Sequence, residues 1–163
     1  MEAFYPWIVF VHVVGGFTFA LAHGASAAAA LRLRKERELE RVRTLLDLSQ
    51  SASGLMYASV VVLLAAGIAG GFIAGLWGRG WIWASIVLLV LMLVFMYARA
   101  VPYYGSLRRA AGQAYFIRGP HAPEPVDIDR MNVLLASPRP MELAAVGYLG
   151  LVAILWLMFF KPF

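Results

Sequence analysis

The sequence predicts an all-α fold, a four-transmembrane-helix bundle, and three observations carry that prediction. Of 163 residues, 62% are hydrophobic and 14% charged, whereas roughly a quarter of a soluble domain is charged. Four stretches reach the roughly 20 apolar residues that a bilayer crossing requires. Lysine and arginine fall almost entirely between alternate stretches. The chain has no cysteine, which excludes a disulfide framework and thiolate metal ligation.

The first span is expected at about residues 5–31 and contains no charged residue. It lacks a basic leader, and its apolar run is too long for a signal peptide, so it is read as a true span. Residues 32–48 mix charges with Leu39, Val42, Leu45 and Leu46, an apolar stripe at helical spacing. They are read as a continuation of the first helix, folding back at residues 49–53. The second span, about 53–77, is also uncharged, and Gly78-Arg79-Gly80 forms a tight turn before the third, about 81–101. Residues 106–116 are read as a short interfacial helix. Five prolines (Pro120, Pro123, Pro125, Pro138 and Pro140) prevent one continuous helix through the loop at 118–140, which is read as functional or as a tether. The fourth span covers about 142–160, and the whole chain forms a single integral membrane domain.

Twelve Lys and Arg residues lie in or beside the two long loops, against Arg79 and Lys161 on the other side. The positive-inside rule therefore predicts an N-out, C-out bundle with both long loops cytoplasmic. Anionic lipid accounts for the basic charge, and no nucleic-acid partner is expected. Trp7, Trp77, Trp81, Trp83 and Trp156 mark one membrane interface. Two rows of small residues, Gly67, Gly71 and Gly75 on the second span and Gly16, Ala20, Gly24 and Ala28 on the first, have the spacing of close helix contacts. They are expected to face each other within the chain. Alternatively, they support a homodimer or docking to a larger membrane complex.

Polar groups inside a span are costly and mark candidate sites. His12 and His23 fall on nearly the same helix face, roughly 16 Å apart along the axis, too far to share one ion. His23 is expected level with Met56, Tyr57 and Arg99. A methionine could supply a second axial ligand to a haem iron, and Arg99 could pair with a propionate. Glu124, Asp127 and Asp129 could hold a hard cation. Paired intramembrane carboxylates and the common catalytic motifs are absent.

The opening Trp7-Ile8-Val9-Phe10-Val11-His12-Val13-Val14-Gly15-Gly16, followed by Leu31-Arg32-Leu33-Arg34, resembles the CopD-like group of small four-helix bacterial integral membrane proteins. More distantly, it is similar to the HemJ-type protoporphyrinogen oxidases. The resemblance covers the first helix and the four-span layout, and implies a bacterial inner-membrane location. In HemJ-type proteins a first-helix His pairs with a second-helix Lys. His12 would correspond to that His, but the second helix here holds no Lys. The CopD-like resemblance implies copper, with His12 and Met92 or Met96 as ligands.

The leading functional expectation is a redox-active group, a b-type haem bound through His12 or His23, for electron relay or porphyrin handling. A symmetric dimer could complete bis-His ligation. The alternatives are a cofactor-free accessory subunit of a larger membrane complex and, third, a copper-handling protein.

Overall fold

A computed structural model describes residues 2–163. Its helices are α1 (Tyr5–Leu33), α2 (Leu39–Ile73), α3 (Gly80–Ala110), α4 (Ile128–Leu135) and α5 (Arg139–Phe160). Two-residue strands β1 (Tyr115–Phe116) and β2 (Pro120–His121) pair antiparallel between α3 and α4. The fold is all-α with four long apolar helices, each able to cross a membrane by length and composition, so the chain is built as a multi-pass membrane protein.

The long helices form two antiparallel pairs. α1 lies along α2, α3 lies along α5, and α5 joins the pairs by also touching α1. α2 and α3 are consecutive in the chain yet barely meet. Only 17–28% of the most apolar window of each spanning segment is buried inside the molecule, which leaves most of that surface for lipid. Pro6 sits in the first turn of α1 and Pro140 in that of α5, where no intrahelical N–H is lost. Pro102 lies inside α3, which continues through it for two further turns.

Three sequence readings are corrected here. α1 does not extend through residues 32–48. It stops at Leu33, the chain turns over Arg34–Glu38, and the apolar stripe from Leu39 belongs to α2. The run Arg34-Lys35-Glu36-Arg37 offers nothing apolar to pack, and Glu36 Oε1 accepts from the backbone N–H of Arg37 and Glu38, which fixes the turn. Residues 49–53 are not a turn, because Ser51 and Ser53 donate to carbonyls four residues back and stay helical. Nor do residues 106–116 form a separate helix. Ser106 to Ala110 complete α3, and Gly112 (φ 70°) turns the chain just past its end, with the N–H of Gly112 and Gln113 returning to the carbonyls of Arg109 and Arg108.

The deepest core lies beyond the apolar spans, at the end carrying both long loops, termed here the capped end. Leu33 of α1, Val42 and Leu46 of α2, Tyr103, Leu107 and Ala110 of α3, and Met131 and Leu135 of α4 form one buried cluster. Residues 118–140 are thus a folded cap rather than a tether. Asp127 starts α4 by accepting from the Arg130 N–H, and the prolines fall outside that helix. Polar contacts tie the cap down. Arg108 pairs with Asp47 of α2 (2.7 Å), Arg43 donates to the Ala111 carbonyl (2.9 Å), and Glu124 accepts from Arg109 (2.8 Å) and Tyr115 (2.5 Å). Glu124 and Asp127 thus accept hydrogen bonds from protein groups, and Glu124, Asp127 and Asp129 do not come together as the metal-ligating group expected of that loop.

Leu107→Ala, at a position with no exposure, is expected to cost about 2–5 kcal/mol. Val90→Ala on the lipid-facing side of α3 should cost far less, and thermal unfolding in detergent checks both. The Tyr115 hydroxyl, followed by the Arg109 guanidinium, holds the Glu124 carboxyl below the usual carboxylate range. A depressed folded-state pKa contributes stability above the ordinary carboxylate range that is lost as pH falls through the depressed value. Protection against hydrogen exchange at residues 115–121, taken relative to the intrinsic rate at each pH, should therefore fall in acid, and Glu124→Gln should remove that pH dependence.

Candidate functional site

The two spanning histidines, alike in sequence context, occupy different environments. His12 is half-buried on α1, and its Nδ1 lies 2.9 Å from the Leu63 carbonyl oxygen of α2. A carbonyl only accepts, so Nδ1 carries the proton and Nε2 the lone pair. Gly67 makes this approach possible, since a Cβ there would press on the imidazole at 3.0 Å. His12 thus has the polar partner that the sequence did not reveal, because backbone carbonyls are invisible in residue patterns.

His23 is buried, with its ring stacked parallel to Phe19 (centroids 6.2 Å apart, planes at 5°). It lies flush against α5 at Gly147, where its Cε1 and Nε2 fill the space a Cβ would take. Its Nε2 is buried and makes no well-formed hydrogen bond, although the Ala144 backbone of α5 lies close enough to the ring to interact with it. Beside it is a cavity of about 20 Å³ lined by residues of all four long helices: Phe19 and His23 of α1, Met56 and Tyr57 of α2, Met92, Leu93 and Met96 of α3, and Gly147 of α5. Met92 is buried, and its sulfur occupies the space beside Gly150, one turn further along α5.

The structure brings together three of the expected residues, His23, Met56 and Tyr57, and separates two. Arg99 does not face this cavity but pairs with Glu142 of α5 at 3.1 Å, which occupies the cation assigned to a propionate. His12 is not beside Met92 or Met96; those methionines belong to the His23 level. Gly147, Gly150 and Phe19 were missed. The only trace of the two glycines was their three-residue spacing in an apolar span, which is also common in plain helix packing.

The small-residue rows make only part of the contact expected of them: Gly67 meets His12 of α1 and Gly16 the Leu63 side chain of α2, but their other glycines do not pair across the two helices. Gly15 rather than Gly16 meets the Leu63 backbone, and Gly70 meets Ile8. Gly24 is exposed with no atoms near its Cβ direction, while Gly75 lies past the end of α2 at φ 61° and forms the turn. Gly71 packs on Trp77 of its own turn.

Cavity size constrains what the site can take. About 20 Å³ holds one water molecule or one ion, while pockets for drug-sized ligands run to roughly 300–1,000 Å³. A porphyrin does not fit inside the bundle in this conformation. Among the described residues no three of His, Asp or Glu come together as metal ligands, so hard ions lack a donor set. The neutral donors at the cavity, one imidazole and three thioethers, are those that soft ions prefer.

The chain matches no protein-family model, and no curated protein or solved structure is significantly similar to it.

Gly147→Ala should force the His23 ring from its seat and destabilise the protein by about 1–3 kcal/mol. Gly24→Ala meets nothing and should be neutral or slightly stabilising through helix propensity. Thermal unfolding of the two variants in detergent checks this contrast.

Proposed function

We propose that this is a bacterial inner-membrane protein that binds copper(I) within its helix bundle, with the capped end in the cytoplasm. The observation that carries the reading is the buried Nε2 of His23, which makes no well-formed hydrogen bond, at a cavity lined by Met56, Met92 and Met96. A buried imidazole nitrogen without a well-formed hydrogen bond costs about 1–3 kcal/mol, and a bound ion would remove that cost. Thioether sulfur and imidazole select copper(I) among biological ions. Because every donor is neutral, the site would carry one net charge rather than two, which suits a low-dielectric interior. The CopD-like resemblance of the first helix implies the same metal, although it assigns copper to His12 rather than to His23. The orientation rests on the twelve Lys and Arg residues at the capped end.

The haem reading retains one supporting observation. With Nδ1 of His12 committed to Leu63, Nε2 has the tautomer of an axial ligand. Since the interior has no room for a porphyrin, the ring would sit between two copies, each supplying His12.

Copper(I) kept reduced by ascorbate, titrated into the detergent-purified protein against a chromogenic chelator, tests the first reading. One ion per chain is expected, with His23→Ala and Met92→Leu each weakening binding at least about tenfold, equivalent to about 1.4 kcal/mol. Met→Leu preserves volume and fold. Binding that is absent, or unchanged in both variants, rejects copper at this site. A Soret band in the same preparation that disappears in His12→Ala would favour haem.

A further inference from the structure

At the capped end, where α1 stops and α5 starts, Arg34 and Arg139 are two of several basic residues that form no ion pair among the described residues. Arg34, half-buried at the end of α1, directs Nη1 at the Met141 sulfur (2.6 Å), a weak acceptor, and its Nε is buried with no partner. Arg139, the first residue of α5, forms no ion pair among the described residues. The contact of Arg34 with Met141, two residues beyond Arg139, places both arginines at this junction, and the Tyr103 hydroxyl of α3 donates to the Leu134 carbonyl at 3.2 Å. The nearby carboxylates are engaged elsewhere. Glu142 binds Arg99, Glu36 caps two backbone N–H groups, and Asp47 binds Arg108 and Gln113.

The depth of this cluster indicates what could complete it. α1 has 29 residues, roughly 43 Å at 1.5 Å per residue, against a hydrocarbon core of about 30 Å. Counted from the start of α1 at Tyr5, Arg34 therefore stands beyond the core, at headgroup level. A half-buried guanidinium without a counter-charge at that depth fits a phosphate, whose paired oxygens the fork of an arginine binds with two parallel hydrogen bonds.

We propose that Arg34 and Arg139 clamp the phosphate of an anionic phospholipid headgroup at the capped end, beside Tyr103. The lipid would seat the junction of α1 and α5 against the cap. This assignment does not depend on the copper site, since Arg34 and Arg139 do not line the His23 cavity.

Delipidated protein in detergent, titrated with phosphatidylglycerol, phosphatidylcholine or inorganic phosphate and followed by native mass spectrometry, provides the test. Phosphatidylglycerol should bind at least about tenfold more tightly than phosphatidylcholine. The double variant Arg34→Gln/Arg139→Gln should lose that preference, and Arg118→Gln, an exposed arginine of the loop, should keep it. Arg34→Lys, which retains charge without the fork, should fall between them and show that loss of the site is not loss of the fold. Equal binding of the two lipids, or a double variant that behaves as wild type, overturns the proposal. Inorganic phosphate that binds as tightly as phosphatidylglycerol also overturns it and assigns the site to soluble phosphate.

Discussion

The arrangement depends most on the hydrophobic core outside the membrane spans. Within the spans, lipid solvates apolar side chains as well as protein does, so burial there offers little driving force, and most of that surface remains open. At the capped end the surroundings are polar, and the hydrophobic effect acts in full on Leu33, Val42, Leu46, Leu107, Met131 and Leu135. This cluster fixes α1, α2 and α3 relative to one another and docks α4, which in turn sets where α5 begins. The depth at which Gly147 meets His23 follows from that starting point.

Inside the spans, specificity comes from close approach. Gly15 brings the α1 and α2 backbones together, Gly67 admits the His12 ring to the Leu63 carbonyl, and Gly147 admits the His23 ring to the face of α5. The first two join helices that are neighbours in the chain, and the third joins the two helix pairs. His12 thereby becomes a polar tie between α1 and α2, while His23 sits at the junction of all four long helices with its Nε2 buried and without a well-formed hydrogen bond. Two histidines on one helix face acquire different roles because different helices pass them.

Charge is distributed by the same logic. Along the cap, carboxylates and guanidiniums pair with one another or with backbone, as in Arg108 with Asp47 and Arg109 with Glu124. Those exposed pairs contribute little stability individually. Their effect is orientation, holding a proline-rich loop as a hairpin and a short helix. Arg34 and Arg139 are among the basic residues of this end that stand outside that pairing.

The sequence alone determined the four apolar helices, because length and charge-free composition suffice to identify a span. It also placed His23, Met56 and Tyr57 at one level, since rise per residue converts position into depth. The partners of each face had to come from the tertiary structure. A periodic stripe at Leu39–Leu46 does not say which helix owns it, and a row of small residues does not say which register is used. Arg99 in the sequence does not disclose Glu142, forty-three residues away. The cavity exists only because α5 presents Gly147 at the depth of His23, a coincidence of two helix offsets that no local pattern encodes.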